Sequence, residues 1–131
     1  MRVLLDTNVL IAAFIARGTC HEVLEHTVRC HELVLCTHIL QEFRDKLRHK
    51  FGFTSKEASR AEALLKSRAR RVHPEPPALH VDPDDLPVLG AALAGGCHCV
   101  VTGDRELQQL GSVGDCAILS PRAFWAWDAR D

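Results

Sequence analysis

Arg2-Val3-Leu4-Leu5-Asp6-Thr7-Asn8-Val9-Leu10-Ile11 contains the change of pattern that decides the fold. Residues 2–6 read as a short apolar strand that ends on an acid. Thr7 or Asn8 is then placed to cap a helix running to about Ala16, and Arg17-Gly18 stops it. The same alternation recurs along the chain. A helix over about 20–30 buries Val23, Leu24 and Val28, and residues 32–36 form a second buried strand. Thr37 is placed to cap a helix over 38–50, with Ile39, Leu40, Phe43 and Leu47 on one face.

Thr54 or Ser55 opens a further helix over roughly 56–70, with a narrow stripe of Ala58, Ala61, Leu64 and Leu65. The proline-rich stretch 73–83 reads as a surface connection or an edge strand, because its prolines cannot donate ladder hydrogen bonds. From Asp84 or Asp85 a helix continues to Ala94, with Pro87 in the first turn, where proline is tolerated, and Gly95-Gly96 ends it. Residues 97–102 are the third clear strand, followed by Gly103-Asp104 and a short helix to Leu110. Residues 117–119 are the last strand, and Ser120-Pro121 begins a terminal helix ending near Trp127. Strands alternating with helices favour a mainly parallel sheet between helical layers. The expected architecture is a three-layer α/β/α domain over residues 1–131, with four or five strands.

Composition agrees with this class. A chain of 131 residues with 47% hydrophobic content fits one domain that buries about 68% of its unfolded surface. The longest apolar run, 9–16, falls short of the roughly 20 residues needed to span a bilayer. Asp6 interrupts the N-terminal apolar segment and no small-residue cleavage site follows, so no secretion signal is read. A cytoplasmic protein is expected, with no membrane partner. In that compartment the six cysteines (Cys20, Cys30, Cys36, Cys97, Cys99, Cys116) are expected to be free thiols. Cys20, His21, His26, Cys30, His31, Cys36 and His38 form a Cys/His-rich stretch that lacks the paired spacing of a structural zinc site. Packing accounts for Cys97 and Cys99 on one strand face.

The formal charge of −1 conceals an asymmetry. From Arg44 to Arg71 there are ten Lys or Arg residues against three acids, a block of net +7, whereas the chain from Val72 onward carries three bases and nine acids. A solvated helical face explains such a block as well as a phosphate-contacting surface does. The acids give it context. Asp6, Glu42, Asp85 and Asp104 are far apart in sequence, yet each lies at a strand end or on a helix beside one. A parallel sheet gathers the carboxyl ends of its strands along one rim, so these carboxylates are expected to meet there. Asp85 precedes Val88 and Leu89 by three and four residues, on the first turn beside the buried face. Asp82 and Asp84 compete with it.

Taken in order, these motifs resemble PIN-domain nucleases. Val3-Leu-Leu-Asp-Thr-Asn-Val-Leu-Ile11 is similar to the family's opening, and Gln41-Glu42-Phe43 to its internal acid on a helix. The stretch 82–94 followed by Val100-Val-Thr-Gly-Asp104 resembles the helix and strand that carry the third and fourth acids. Within the family the chain looks most like small prokaryotic toxins of the VapC type. The resemblance implies a ribonuclease that depends on Mg2+ or Mn2+, with Asp6, Asp85 and Asp104 as metal ligands and Glu42 as a ligand or as the orienter of the attacking water. It implies Asn8 and Thr102 as polar supports, a homodimer, and an antitoxin protein as partner. Family members often carry another acid where this chain has Leu86, which leaves the register of the third acid open.

An oxygen-only donor set suits hard divalent ions. Arg44, Lys46 and Arg105 are expected to hold the RNA backbone, through contacts that carry no direct sequence information. Phe14, Phe43, Phe51, Phe53, Phe124, Trp125 and Trp127 are the only aromatic rings of Phe, Trp or Tyr, and Trp125 and Trp127 read as packing or dimer-contact residues rather than base-stacking platforms. Two rival classes stand beside the nuclease. A haloacid-dehalogenase-type phosphatase would want an acid at Asn8 and a later lysine; a non-catalytic interaction module would keep the fold without binding a metal.

Overall fold

The computed structural model describes residues 1–73 and 83–130. Among the described residues six strands form one sheet: β1 (Arg2–Leu5), β2 (Glu32–Cys36), β3 (Ala69–Val72), β4 (Cys99–Val101), β5 (Ser112–Val113) and β6 (Cys116–Leu119), in the order β3-β2-β1-β4-β6-β5. All pairings are parallel except β5 with β6. The helices are α1 (Thr7–Ile15), α2 (Thr19–Cys30), α3 (Thr37–His49), α4 (Ser55–Arg68), α5 (Leu86–Ala94), α6 (Arg105–Leu110) and α7 (Pro121–Asp128), with a 3-10 turn at Pro83–Asp85. The steps β1 to β2 and β2 to β3 run one way across the sheet, while β3 to β4 and β4 to β6 run the other. Right-handed crossovers therefore place helices on both faces, the three-layer α/β arrangement expected from the sequence.

The central strands are the most apolar because both of their faces are covered. Val3, Leu4, Leu5, Leu33, Val34, Leu35, Val100 and Val101 are all buried. Phe43 of α3 is fully buried and meets Phe14 of α1 edge to face at 5.1 Å, joining the two helices that carry the first two candidate acids. Gly95 lies where α5 approaches β2, since a Cβ there would stand 2.9 Å from Val34 Cγ1.

The sheet has two strands beyond the four clear ones read from sequence. Residues 69–70 were expected to finish a helix; instead α4 ends at Arg68, and Ala69–Val72 pairs with Leu33 to Cys36 as an edge strand. Its centre is Arg70-Arg71, and an edge strand with two exposed arginines shows no apolar pattern. β5 and β6 form a hairpin across Gly114-Asp115, with Gly114 at a φ of +55°. That Gly-Asp pair is a turn signal standing between residues too few to read as a strand. The helix ends shift by a residue or two elsewhere. Asp6 itself caps α1 where Thr7 or Asn8 was expected, and Thr37 is the first residue of α3 rather than its cap. All six cysteines are free, as expected, and four of them are buried. Among the described residues no helix is long and apolar enough to cross a membrane.

Candidate active site

In this strand order the chain reverses direction across the sheet between β1 and β4, and a crevice forms outside the carboxyl ends at such a point. Asp6 enters it directly from β1. Its N–H donates to the Val101 carbonyl (2.9 Å), which holds the backbone in the sheet for one residue more, and the chain then turns into α1. The Asp6 carboxyl, only 8% exposed, accepts from the Thr7 N–H through Oδ1 (2.8 Å) and from the Thr102 hydroxyl through Oδ2 (2.7 Å). Thr102 follows β4 and is fully buried; its oxygen also accepts the Asp104 N–H (3.0 Å). One hydroxyl thus links the two strand-end acids. Asp104 caps α6, accepting the Glu106 N–H through Oδ1 (2.9 Å). Asn8 accepts the Gly103 N–H (3.0 Å), tying the first turn of α1 to the loop that carries Asp104.

Glu42 reaches the crevice from α3. Its Oε1 receives the Thr7 hydroxyl at 3.3 Å and lies 3.1 Å from His38 Nε2, one helical turn earlier. That ring nitrogen makes no hydrogen bond among the described residues, so His38 approaches Glu42 without bonding to it directionally. Burial pushes the Asp6 carboxyl above its ordinary range; the Thr102 and Thr7 hydrogen bonds oppose this, and the charges of Glu42 and Asp104 add to it. Asp6 therefore lies within the electrostatic reach of both Glu42 and Asp104, where a cation would relieve the repulsion.

Topology gives the position of the candidates for a third acid. Four residues separate the end of α5 from Cys99, where β4 begins, so the helix's far end, one helix length of about 13 Å away, points to the carboxyl rim. Asp85 precedes α5 directly and is half-buried, whereas Asp84 is exposed; Asp82 lies outside the described residues. α5 also packs against β2 and α3, the helix of Glu42. Of the expected RNA contacts, Arg105 is exposed immediately beside Asp104, Lys46 lies one turn beyond Glu42 on the same face of α3, and Arg44 faces Glu62 of α4 at 4.0 Å. The sequence reading missed Thr7 and His38 as partners of Glu42. The four-residue spacing of His38 and Glu42 on one helix was the available signal.

An oxygen-only set of this kind fits a hard divalent ion, which retains waters and needs only one or two carboxylates. Among the described residues, the only three metal-capable side chains with donor atoms within 4.8 Å of one another are elsewhere: His26, His31 and Asp128. They lie at the opposite, amino edge of the sheet, where Asp128 of α7 accepts from His26 Nε2 (2.9 Å) and His31 Nε2 (2.7 Å). Trp125 packs on the His26 ring (5.1 Å) and both tryptophans pack against Phe124, the structural role expected of them.

A family model described as PIN domain matches residues 2–106. Among solved structures, VapBC2 of Rickettsia felis bound to a promoter DNA fragment is similar at a TM-score of 0.66 and 14% identity, with 92% of this chain and 98% of that one covered. VapBC-1 of nontypeable Haemophilus influenzae is similar at 0.66 and 19% identity, covering 93% and 99%. Mycobacterium tuberculosis VapC20, described as a sarcin-ricin loop cleaving toxin, is similar at 0.62 and 16% identity, covering 85% and 96%. A comparison with curated proteins gave no match. At these identities the structures establish a common fold, and the match to the family model over 2–106 establishes more: the chain belongs to the PIN domain family.

Proposed function

We propose that this protein is a metal-dependent endoribonuclease and the toxin of a toxin-antitoxin pair. The reading is supported by the hydrogen bonds through which Thr102 joins Asp6 to the Asp104 backbone and Thr7 joins the start of α1 to Glu42, at the point where the sheet reverses its strand order. Asp6, Asp85 and Asp104 are the proposed holders of Mg2+ or Mn2+. Such an ion, when bound, supplies Lewis acidity toward phosphate oxygens and lowers the proton affinity of water.

The chain's own groups account for the remainder. Thr102 and the Thr7 N–H donate to the Asp6 carboxyl and oppose the upward push of burial on it. Thr7 holds Glu42 through Oε1, which leaves Oε2 without a partner among the described residues and free to accept the proton of an attacking water. The water oxygen bonds to phosphorus, one ester P–O bond breaks, and the two RNA ends leave as a phosphomonoester and a hydroxyl. Asn8 positions the Asp104 loop. Arg44, Lys46 and Arg105 supply backbone contacts.

The toxin role rests on the fold shared with VapC proteins, two of them solved as VapBC complexes. The same likeness supports an antitoxin partner; action on RNA, as a homodimer in the cytoplasm, is part of the proposal. The purified chain should cleave RNA with Mn2+ or Mg2+ and stop doing so with chelator, and Asp104→Asn should abolish cleavage while melting normally. Full activity in that variant removes the assignment. Growth arrest on expression, relieved by the product of an adjacent small reading frame, tests the toxin role separately.

A further inference from the structure

A concavity of about 180 Å³ opens between α3, α4 and β3, lined by Thr37, Gln41, Arg44, Glu62, Lys66 and Arg71, with Leu40 as its apolar wall. Register fixes its place. Arg71 is paired with Leu35, two residues before α3 begins at Thr37, so the concavity lies at the carboxyl rim. Gln41 and Arg44 sit about 100° and 200° around the helix from Glu42. The concavity is therefore across α3 from the acids, one helix width or about 10 Å away.

Three cations face one carboxylate here, leaving a local charge of +2. Glu62 is drawn inward at 15% side-chain exposure and stands 3.4 Å from Lys66 Nζ and 4.0 Å from the Arg44 guanidinium. Both distances exceed the roughly 2.7–2.9 Å of a short charge-assisted bond, so both cations keep donor capacity. Arg71 has no carboxylate partner among the described residues, because strand alternation turns its neighbour Arg70 to Glu32 (3.4 Å). Cations scattered on a solvated helix face do not converge; these come from two helices and a strand onto one hollow. Its volume equals that of about six waters at ~30 Å³ each, enough for a phosphate group. Thr37 and Gln41 add uncharged donors at its edge.

We infer that this concavity is a subsite for one backbone phosphate of a single-stranded RNA, a phosphate flanking the bond presented to the acids. The identity of the strand rests on the nuclease reading; the anion-binding hollow rests on Arg44, Lys66 and Arg71. The test is binding of a short single-stranded RNA in chelator, where no cleavage occurs, across a salt series. Lys66→Gln with Arg71→Gln should weaken binding about tenfold and reduce the slope of log K against log salt by about 0.7, one phosphate contact on a single strand. Arg17→Gln with Arg130→Gln removes the same charge from exposed sites elsewhere and should leave the slope unchanged. All four side chains are exposed, so matched melting curves are expected. Equal slopes in the two double variants overturn the subsite while leaving the nuclease reading intact. Failure of the unaltered chain to bind RNA overturns both.

Discussion

Replacing Thr102 with valine removes a single buried hydroxyl that serves both strand-end acids. Two hydrogen bonds go with it, the 2.7 Å bond to Asp6 Oδ2 and the 3.0 Å bond from the Asp104 N–H. A bond to a charged group contributes about 1.5–3 kcal/mol and a neutral one about 0.5–1.5 kcal/mol. The methyl group gained in a fully buried site returns about 0.8 kcal/mol. The net loss is about 1–4 kcal/mol, which for a domain of this size lowers Tm by roughly 4–15 °C. Urea denaturation measures the first quantity and thermal melting the second. Activity carries an independent signature. The Thr102 bond holds the Asp6 carboxyl down against the burial that raises it. Without that bond Asp6 titrates at a higher pH, and the acid limb of the pH profile for Mn2+-dependent RNA cleavage should move upward. A stability change below about 0.5 kcal/mol, the level of an ordinary surface substitution, together with an unmoved acid limb, would refute the role given to Thr102.

Asp6→Asn separates folding from chemistry. Because burial raises the folded carboxyl above its unfolded value, protonation favours the folded state: this contribution is present at acid pH and lost as pH rises from the ordinary carboxylate range through the raised value. In chelator the unaltered chain should therefore lose stability over that window, whereas the D6N chain should not, and at neutral pH it should melt at least as high. Mn2+ at a hundredfold excess over its Kd should stabilise the unaltered chain by about 2.7 kcal/mol and the D6N chain by much less; equal stabilisation counts against Asp6 as a ligand. Gly95→Ala should cost about 1–3 kcal/mol in urea denaturation, because its Cβ would meet Val34 Cγ1 at 2.9 Å and the Ala91 carbonyl at 3.2 Å. Thiol titration of the native chain should show Cys30 reacting first, since it alone is exposed; burial pushes the Cys97 and Cys116 thiols up to about 12 and the Cys99 thiol higher still. Rapid labelling of Cys97 or Cys116 in the folded state would contradict their burial.

The sheet was legible where its strands are apolar on both faces. Val3 to Leu5, Leu33 to Cys36 and Cys99 to Val101 announce themselves because burial demands uninterrupted apolar residues. β3 was not legible, since Arg70 and Arg71 remain in solvent at the edge and only pairing with β2 makes them a strand. Asp6 and Asp104 were readable as candidate site residues from their places at strand ends. Both prove also to be helix caps, so the capping role and the proposed catalytic role share the same carboxyls.

The order of residues by itself determined the alternation of strands and helices, the cationic block between 44 and 71, and which acids stand at element ends. It did so because local periodicity and capping act over a few neighbouring residues. Tertiary structure alone decided that Thr102 binds Asp6 across 96 positions, that Thr7 reaches Glu42, and that Arg71 joins Arg44 and Lys66 around one hollow. Those contacts depend on strand order and register, which are set by how the whole sheet packs rather than by any one stretch of chain.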